Sequence, residues 1–297
     1  MRAGIVSIIG RPNAGKSTLL NRIVGEKIAI VSDKPQTTRT RILGTRNYPD
    51  GQIAFVDTPG IHRPLHRMNV RMVDAAVETL REVDTVMLVH DASTRAGHGD
   101  EYVAKLLKGV SIPVVLVLNK IDLIAKTRLL PVIEQLRGWH DFSDIVPVSA
   151  ATGDGVEALE RLLLEKMPDG EPLYPDDFLT DQPQRLIASE TVREKVLHHT
   201  RAELPFSTAV VVDQFEEPDR PGGLMRIYCT ILVEQESQKP IVIGRAGAMI
   251  KRIGTEARQD LERFFECKVY LDLRVKVKPD WRNDERALDD LGLPRRR

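Results

Sequence analysis

Residues 10–18, which read GRPNAGKST, constrain the fold of this chain more than any other stretch. They match the pattern G-x-x-x-x-G-K-S/T completely, with Gly10 and Gly15 as its glycines and Lys16 and Ser17 as its last two positions. A short apolar run of strand type, residues 4–9, comes before them, and apolar residues at helical spacing follow. This order predicts a loop between a strand and a helix that binds a polyphosphate.

Backbone geometry gives the loop its expected chemistry. Glycines let the main chain approach phosphate oxygens closely, and the amides of residues 13–17 would point inward at the positive end of the helix. The Lys16 ammonium can reach the β- and γ-phosphates, and the Ser17 hydroxyl can coordinate Mg²⁺. The loop residues expected to bind the nucleotide are Asn13, Ala14, Gly15, Lys16, Ser17 and Thr18.

Two later stretches supply candidates for metal binding and hydrolysis. A proline and a polar cluster within residues 28–45 predict a surface loop, in which Thr38, with Thr37 as a close second, would close over Mg²⁺ and the γ-phosphate. Asp57 and Gly60 follow an apolar strand; the carboxylate would support the metal, and the Gly60 amide would sense the γ-phosphate. The expected metal ligands are Ser17, Thr38 and Asp57. The expected catalytic residues are Lys16, Thr38 and Gly60.

The remainder of the first half alternates between strands and helices. Apolar strands near residues 85–89, 113–118 and 144–148 are separated by helical patterns near residues 68–82, 98–108 and 128–138, with another at 155–166. Such alternation predicts a mainly parallel sheet, and ligands bind such sheets at the carboxyl ends of the strands.

One of these strand ends carries Asn119-Lys120-Ile121-Asp122, which indicates the base of the nucleotide. An ionised Asp122 can accept hydrogen bonds from N1–H and the exocyclic amine of guanine, whereas adenine offers no such pair of donors. Asn119 would tie this segment to the phosphate loop, and the Lys120 stem would cover the base. Backbone amides after the next strand would meet the guanine oxygen, from Ser149, Ala150 and Ala151. The predicted nucleotide is GTP rather than ATP.

Residues 168–183 are rich in proline and aspartate and have little apolar periodicity, which is typical of a linker. We expect a nucleotide-binding domain over residues 1–170, a linker over 171–184 and a second domain over 185–297. In the second domain, a G-x-x-G loop lies between an apolar segment and two helical patterns, the later one at residues 255–265. The predicted order helix–strand–strand–helix–helix–strand is that of a type II KH domain.

A G-x-x-G loop lets the backbone approach single-stranded nucleic acid closely, and in KH domains it clamps about four nucleotides. Basic side chains surround it here, with no acidic residue between positions 239 and 252, and they would meet phosphates. The residues expected to bind RNA are Lys239, Gly244, Arg245, Ala246, Gly247, Lys251 and Arg252.

Composition narrows the partners and the compartment. The 43 Lys and Arg balance the 43 Asp and Glu, so nucleic acid must be met by a local patch and not by a global field. Both cysteines, Cys229 and Cys267, lie in apolar stretches and are expected to be buried thiols in a reducing compartment. Without a secretory signal pattern or an apolar run of bilayer length, we expect a cytoplasmic protein. We also expect it to be a monomer. Attachment to the inner surface of the membrane stays open.

The sequence resembles the Era family of GTPases over nearly its whole length. The resemblance is carried by VSDKPQTTRTRILG, FVDTPGIHRP and YPDDFLTD in the first half, and by SQKPIVIGRAG and VYLDLRVKVKPDWR in the second. It implies a Ras-like, mainly parallel α/β GTPase domain followed by an α+β type II KH domain. It also implies GTP and GDP as ligands, the 3′ end of 16S rRNA as partner, and a role in maturation and assembly of the small ribosomal subunit.

The resemblance further implies how the two halves cooperate. GTP and Mg²⁺ would order residues 33–40 and 57–68, here called the switch segments, and so bias the placement of the KH domain. Ile61 stands where Ras-like enzymes carry a water-orienting glutamine, which implies slow hydrolysis without a stimulating cation or partner. Asn13 is the counterpart of a potassium ligand in some relatives. The alternative, that it is a loop residue without a special role, accounts for it equally well.

Two departures from the family pattern and one alternative function remain. Met68-Asn69 stands where the family usually has Leu-Gly, in the second switch segment. The chain ends in a basic tail at residues 294–297, which would contact RNA or anionic lipid, or would simply be solvated. The alternative function is a membrane-surface signalling GTPase whose C-terminal domain is a protein adaptor.

Overall fold

The first half of the chain forms a six-stranded sheet. In this computed structural model the strands are β1 (Arg2–Gly10), β2 (Ile42–Tyr48), β3 (Gly51–Asp57), β4 (Thr85–Asp91), β5 (Val114–Asn119) and β6 (Asp144–Pro147). Their order is β2-β3-β1-β4-β5-β6, and each neighbouring pair is parallel except the β2–β3 hairpin. The predicted mainly parallel sheet is confirmed.

Helices cover both faces of this sheet. They are α1 (Lys16–Val24), α2 (Arg67–Thr79), α3 (His98–Leu106), α4 (Leu129–Leu136) and α5 (Val156–Lys166). Helices α1 and α5 pack on one face, against residues such as Ile8 and Met87, and the other three pack on the opposite face, against Ile9 and Leu88. Because both faces are buried, the central strands are continuous apolar runs in the sequence.

The structure describes residues 1–34, 37–61, 66–200, 204–218, 220 and 223–293. Parts of both switch segments, residues 35–36 and 62–65, lie outside the described residues, and so does the basic tail at 294–297. Among the helices in the described ranges, none combines the length and the apolar character that crossing a bilayer requires.

Residues 167–183 lie against the outer edge of the first sheet. The Leu179 carbonyl accepts a hydrogen bond from the Thr45 amide at 3.1 Å, and the Thr180 hydroxyl donates to the Leu43 carbonyl at 2.6 Å. The segment therefore covers hydrogen-bonding groups of the edge strand β2. The proline-rich pattern indicated an irregular segment and gave no sign that it is packed.

The second half builds a three-stranded sheet from β7 (Ala209–Glu216), β8 (Leu224–Val233) and β9 (Lys268–Val277). Strands β7 and β8 are antiparallel, and β8 and β9 are parallel. Helices α6 (Gln184–His199) and α9 (Ala248–Phe265) bury an apolar stripe against this sheet, with Val192 and Ile253 among its residues. Short helices α7 (Leu204–Ser207) and α8 (Lys239–Ile243) precede β7 and the G-x-x-G loop. The predicted α+β fold is confirmed.

Two details of the second half differ from the sequence prediction. The apolar segment before the G-x-x-G loop is itself the helix α8, and the two helical patterns after the loop form the single helix α9. Gly254 does not end a helix: a Cβ there would lie 3.3 Å from the Leu273 side chain, so glycine permits α9 to pack closely on β9. The chain also forms an unpredicted helix, α10 (Glu285–Asp290).

The two halves contact each other through α2 and the C-terminal segment. One buried apolar cluster contains Met68 and Met72 of α2 together with Trp281 and Leu288. Trp281 is fully buried, and its indole N–H donates to the Ser207 carbonyl at 2.9 Å. This tryptophan is therefore part of the packing between the halves and is not available to stack on a base.

Candidate nucleotide site and candidate RNA interface

The loop between β1 and α1 passes directly in front of β5. Gly15 has a φ of 89°, in the left-handed region, and a Cβ there would lie 2.2 Å from Nδ2 of Asn119. Only glycine allows this approach, because it lacks both the steric penalty and the side chain. The phosphate-loop residues are thereby held against the segment predicted to bind the base.

A cavity of about 480 Å³ opens in front of this loop, a volume in the range of small-molecule sites. The loop and both switch segments contribute to its walls, and so does Lys120. The predicted site residues that line it are Asn13, Gly15, Lys16, Ser17, Thr18, Thr38, Gly60 and Lys120.

Three oxygen-bearing side chains converge beside this cavity. The Ser17 hydroxyl donates to Oδ2 of Asp57 at 2.7 Å. The Thr38 hydroxyl lies 2.7 Å from the Ser17 hydroxyl and donates to Oδ2 of Asp57 at 3.2 Å. Thr37 turns away and donates to the Lys34 carbonyl at 2.6 Å, so Thr38 is the threonine that reaches the cluster. Asp57 Oδ1 is buried without a hydrogen-bond partner among the described residues. A carboxylate with hydroxyls is an oxygen donor set of the kind that Mg²⁺ takes beside phosphates, so these residues fit Mg²⁺.

Burial shapes the charges of this cluster. It raises the pKa of Asp57, and the Lys16 ammonium and the hydrogen bonds from Ser17 and Thr38 act in the opposite direction. It lowers the pKa of Lys16, opposed by the charge of Asp57. A buried ammonium is costly without anionic partners, and a polyphosphate would supply them. The electrostatics therefore favour binding of a nucleotide with its metal.

The predicted base-binding residues form one hydrogen-bonded unit. Asn119 Nδ2 donates to the Ala14 carbonyl at 2.9 Å, and Asn119 Oδ1 accepts from the Ala150 amide at 2.9 Å. The Ser149 hydroxyl donates to Oδ1 of Asp122 at 2.6 Å. The carboxylate expected to recognise guanine is thus oriented by the next strand end, and the whole unit is tied to the phosphate loop.

Two residues of this site were missed by the sequence analysis. Asp91 Oδ2 lies 2.6 Å from Nζ of Lys120; burial raises the pKa of Asp91, and hydrogen bonds including this one hold it below its ordinary value. Its place at the carboxyl end of an apolar strand was a usable signal. Arg22 of α1 donates to the carbonyls of Ala150 and Ala151, and nothing in the local sequence indicates this contact.

The G-x-x-G loop lies on the surface between α8 and α9. Gly244 has a φ of 74°, and a Cβ there would lie 2.8 Å from the main-chain nitrogen of Met249. Gly247 and Ala246 also have positive φ, 78° and 51°. Residues with exposed side chains in and after the loop are Arg245, Ala246, Lys251 and Arg252, whereas Lys239 is partly buried. The loop backbone is therefore accessible to a sugar–phosphate chain.

Helix α6 attaches the second half to the first switch segment through Thr37, and to the chain just before that segment through Val31. The Arg193 guanidinium donates to the Thr37 carbonyl, and the Glu194 carboxylate accepts from the Val31 amide at 2.9 Å. Nε2 of His198 lies 2.9 Å from the Val31 carbonyl. Because Arg193 and Glu194 are each 1% exposed, these contacts are inside the interface between the halves.

Both switch segments also contact the C-terminal segment. The Arg39 guanidinium lies 5.3 Å from the centroid of the Trp281 ring, a cation–π geometry. In the second switch segment, the Arg67 guanidinium donates to Glu285 at 3.0 Å, and the Arg67 amide donates to the Asn283 side chain at 3.2 Å. The sequence indicated none of these contacts, since each joins residues far apart in the chain.

Two family models match the chain, one to each half. The model described as 50S ribosome-binding GTPase matches residues 5–120, and the model described as KH domain matches residues 203–282.

Curated proteins named GTPase Era are similar to almost the whole chain. The protein of Geobacter metallireducens is 51% identical over 291 residues, which are 98% of this chain and 97% of that protein. The protein of Heliobacterium modesticaldum is 45% identical over 293 residues, or 99% of this chain and 97% of that protein.

Solved structures match both halves in one superposition. A crystal structure of Era in complex with MgGDPNP and nucleotides 1506–1542 of 16S ribosomal RNA has a TM-score of 0.95 and 41% identity, covering 99% of this chain and 100% of the other. A crystal structure of an Aquifex aeolicus Era variant bound to GDP and AlF₄⁻ has the same TM-score, 0.95, and the same identity, 41%.

Proposed function

Since this chain belongs to the Era family of GTPases, we propose that it binds and hydrolyses GTP and binds the 3′ end of 16S rRNA during assembly of the small ribosomal subunit. The observation that carries the proposal is that one chain holds a phosphate loop hydrogen-bonded to the segment predicted to bind guanine, and also an exposed G-x-x-G loop. Era itself has been crystallised with ligands of both kinds, MgGDPNP and 16S rRNA nucleotides. We infer a cytoplasmic location, where a ribosomal RNA partner would be met.

At the nucleotide, the backbone of residues 13–17 and the Lys16 ammonium would bind the phosphates, and the Gly60 amide would contact the γ-phosphate. Ser17, Thr38 and Asp57 would hold Mg²⁺, which neutralises charge on the phosphates. Asp122, oriented by Ser149, would accept from the guanine N1–H and amine.

Hydrolysis should be slow in the isolated protein. Ile61 is 1% exposed and packs in the apolar core beneath the sheet, while its amide donates to the Gly10 carbonyl at 3.1 Å. Its side chain therefore offers no group to orient an attacking water. A partner, a bound cation or another side chain has to supply that role.

Potassium is one candidate for this stimulation. Nδ2 of Asn13 donates to the Asp33 carbonyl at 2.8 Å, which brings two oxygen-bearing groups together beside the phosphate loop. If Asn13 is a potassium ligand, GTP hydrolysis should be faster in potassium than in sodium at equal ionic strength. Equal rates would leave Asn13 as an ordinary loop residue.

The contacts between α6 and the first switch segment support coupling between the two sites. Thr38 reaches the metal cluster, and the adjacent Thr37 carbonyl accepts a hydrogen bond from Arg193. Loss of the γ-phosphate and metal would release this segment and with it the contact to the second half. Nucleotide state would thereby change how the G-x-x-G loop is presented to RNA.

The RNA assignment is tested by titrating a short single-stranded RNA with the sequence of the 16S rRNA 3′ end. The variant Arg245→Asp, Ala246→Asp places two carboxylates between the loop glycines, and we expect at least about a hundredfold loss of affinity because phosphates are repelled there. The matched control Ala158→Asp, Arg161→Asp makes the same change of net charge on exposed positions of α5. Equal binding by both variants and wild type would contradict the assignment.

Hydrolysis is tested separately with Lys16→Ala. Loss of the ammonium that neutralises the β- and γ-phosphates should abolish productive GTP binding and turnover. Retained turnover would contradict the proposed catalytic site. No contact in the described residues favours the alternative of a membrane-surface GTPase with an adaptor domain, and RNA binding by the wild type would exclude it.

A further inference from the structure

Arg22 lies on the last turn of α1, outside the set of residues expected to bind nucleotide. We propose that it is a positioning residue for guanine recognition: it holds the peptide group between Ala150 and Ala151 so that the Ala151 amide donates to the guanine oxygen. The inference rests on the proposed function, because it concerns the same base pocket.

The backbone amides of residues 149–153 differ in whether they already have an acceptor in the protein. The amides of Ser149, Ala150, Thr152 and Gly153 donate to protein acceptors at distances from 2.8 to 3.1 Å. The Ala151 amide donates to no acceptor among the described residues, and Ala151 is exposed. It is therefore the amide of this loop that is available to a ligand.

The structure of guanine determines where a donor to its O6 atom must lie. The carbonyl O6 is adjacent to N1, so a donor to O6 must lie next to the group that accepts from N1–H. Asp122 is that acceptor in the proposed function, and Ser149, two residues before Ala151, is hydrogen-bonded to it at 2.6 Å. The Ala151 amide thus belongs to the loop that borders the base at O6.

Arg22 controls the direction of this amide through peptide planarity. The Ala150 carbonyl and the Ala151 N–H belong to one planar trans peptide group and point in opposite directions. Nε of Arg22 donates to the Ala150 carbonyl at 3.1 Å, and its Nη2 donates to the Ala151 carbonyl. Fixing the Ala150 carbonyl toward α1 therefore turns the Ala151 N–H away from α1.

Two donors of one guanidinium make this restraint specific. The guanidinium is planar and rigid. Its bonds to the Ala150 and Ala151 carbonyls therefore limit rotation of the Ala150–Ala151 peptide group more than one bond would. Lysine at this position would keep the charge but not the paired geometry. Removal of Arg22 would leave the loop in place, since Asn119 and Ser149 still hold it, but would free this peptide group to turn.

The test is to measure affinities of the full chain with Mg²⁺ for GDP and for 6-thio-GDP, in which sulfur, a weak acceptor, replaces O6 while N1–H and the amine remain. Competition against a fluorescent GDP derivative gives both dissociation constants. For Arg22→Ala we expect GDP to bind roughly three- to tenfold more weakly, the scale of one hydrogen bond, with the affinity for 6-thio-GDP nearly unchanged. Arg22→Lys should be intermediate for GDP.

Arg161→Ala is the matched control, because it removes an exposed arginine from α5 whose ion pair, to Glu157 at 3.5 Å, does not touch the base loop. It should leave both affinities unchanged. The proposal would be overturned if Arg22→Ala weakened the affinities for GDP and 6-thio-GDP by the same factor, or weakened neither. Failure of the proposed function would look different, since wild type would then bind ADP as well as GDP.

Discussion

Replacing Glu194 by alanine should loosen the attachment of Val31, which lies two residues before the first switch segment, to the second half. The carboxylate accepts from the Val31 amide at 2.9 Å and from the ammoniums of Lys27 and Lys195 at 2.6 and 3.0 Å. Glu194 is 1% exposed, so water cannot replace these bonds without a local rearrangement. The substitution leaves a backbone donor and two charges without their shared acceptor.

The size of the effect follows from what remains. Both ammoniums keep a second carboxylate, because Asp260 lies 3.1 Å from Nζ of Lys27 and 2.5 Å from Nζ of Lys195. The lost bond from the Val31 amide, about 2 kcal/mol for a charged acceptor, therefore sets the scale. At about 1.4 kcal/mol per factor of ten, the Val31 amide should exchange with solvent roughly thirtyfold faster.

Hydrogen exchange of the GDP-bound protein, read at the Val31 amide, measures this directly. Glu194→Gln keeps an acceptor for Val31 and should give a smaller increase. Glu256→Gln is the matched control, since Glu256 pairs with His199 at 2.7 Å within the second half and has no ion pair with the described residues of the first. Unchanged exchange in Glu194→Ala would refute the reasoning that α6 holds the chain that leads into the first switch segment.

Three further outcomes are expected. Asp122→Asn should turn the preference from GDP to xanthosine diphosphate, because an amide donates a hydrogen bond where the carboxylate accepted one. Competition binding measures this preference, and a retained preference for GDP would contradict the base assignment. Burial raises the pKa of the Cys229 thiol to about 12, so iodoacetamide near neutral pH should label Cys267 before Cys229. Peptide mass spectrometry measures the labelling, and equal labelling of the two cysteines would show that Cys229 is not enclosed. Burial raises the pKa of Glu194 and of Asp260, but hydrogen bonds from the two interface lysines hold both below their ordinary values. The stabilisation by these two carboxylates is therefore present above their pKa values in the unfolded chain, about 4.3 and 3.9, and is lost as pH falls through their lower pKa values in the folded protein. The thermal unfolding temperature, measured at decreasing pH, should fall less steeply in Glu194→Gln than in wild type.

Local patterns predicted the fold, and they predicted most of the residues that the structure brings together at the candidate nucleotide site. The phosphate loop was predictable because its glycines, Lys16 and Ser17 are contiguous and sit between a strand and a helix. Asp57 and Asp122 were predictable because carboxyl ends of parallel strands meet at one edge, so position in the sheet follows from order in the chain. The same rule could have found Asp91, which ends β4.

Contacts that depend on side-chain direction or on distant elements were not predictable. Thr37 and Thr38 are equivalent as residue types, and only the backbone path decides which hydroxyl faces Asp57. Arg193 and Thr37 are 156 positions apart, and no periodicity records such a pairing. Gly254 is another case, because a glycine that permits close helix packing has the same one-letter signal as a glycine that ends a helix.

The central claim is that one chain couples a guanine nucleotide site to an RNA site. The most direct test is the dissociation constant for single-stranded RNA with the sequence of the 16S rRNA 3′ end, measured with the protein loaded with GDPNP and then with GDP. Coupling through the switch segments predicts tighter RNA binding with GDPNP, by about fivefold or more, and RNA should tighten GDPNP relative to GDP by the same factor. Equal RNA affinities in the two nucleotide states would contradict the account.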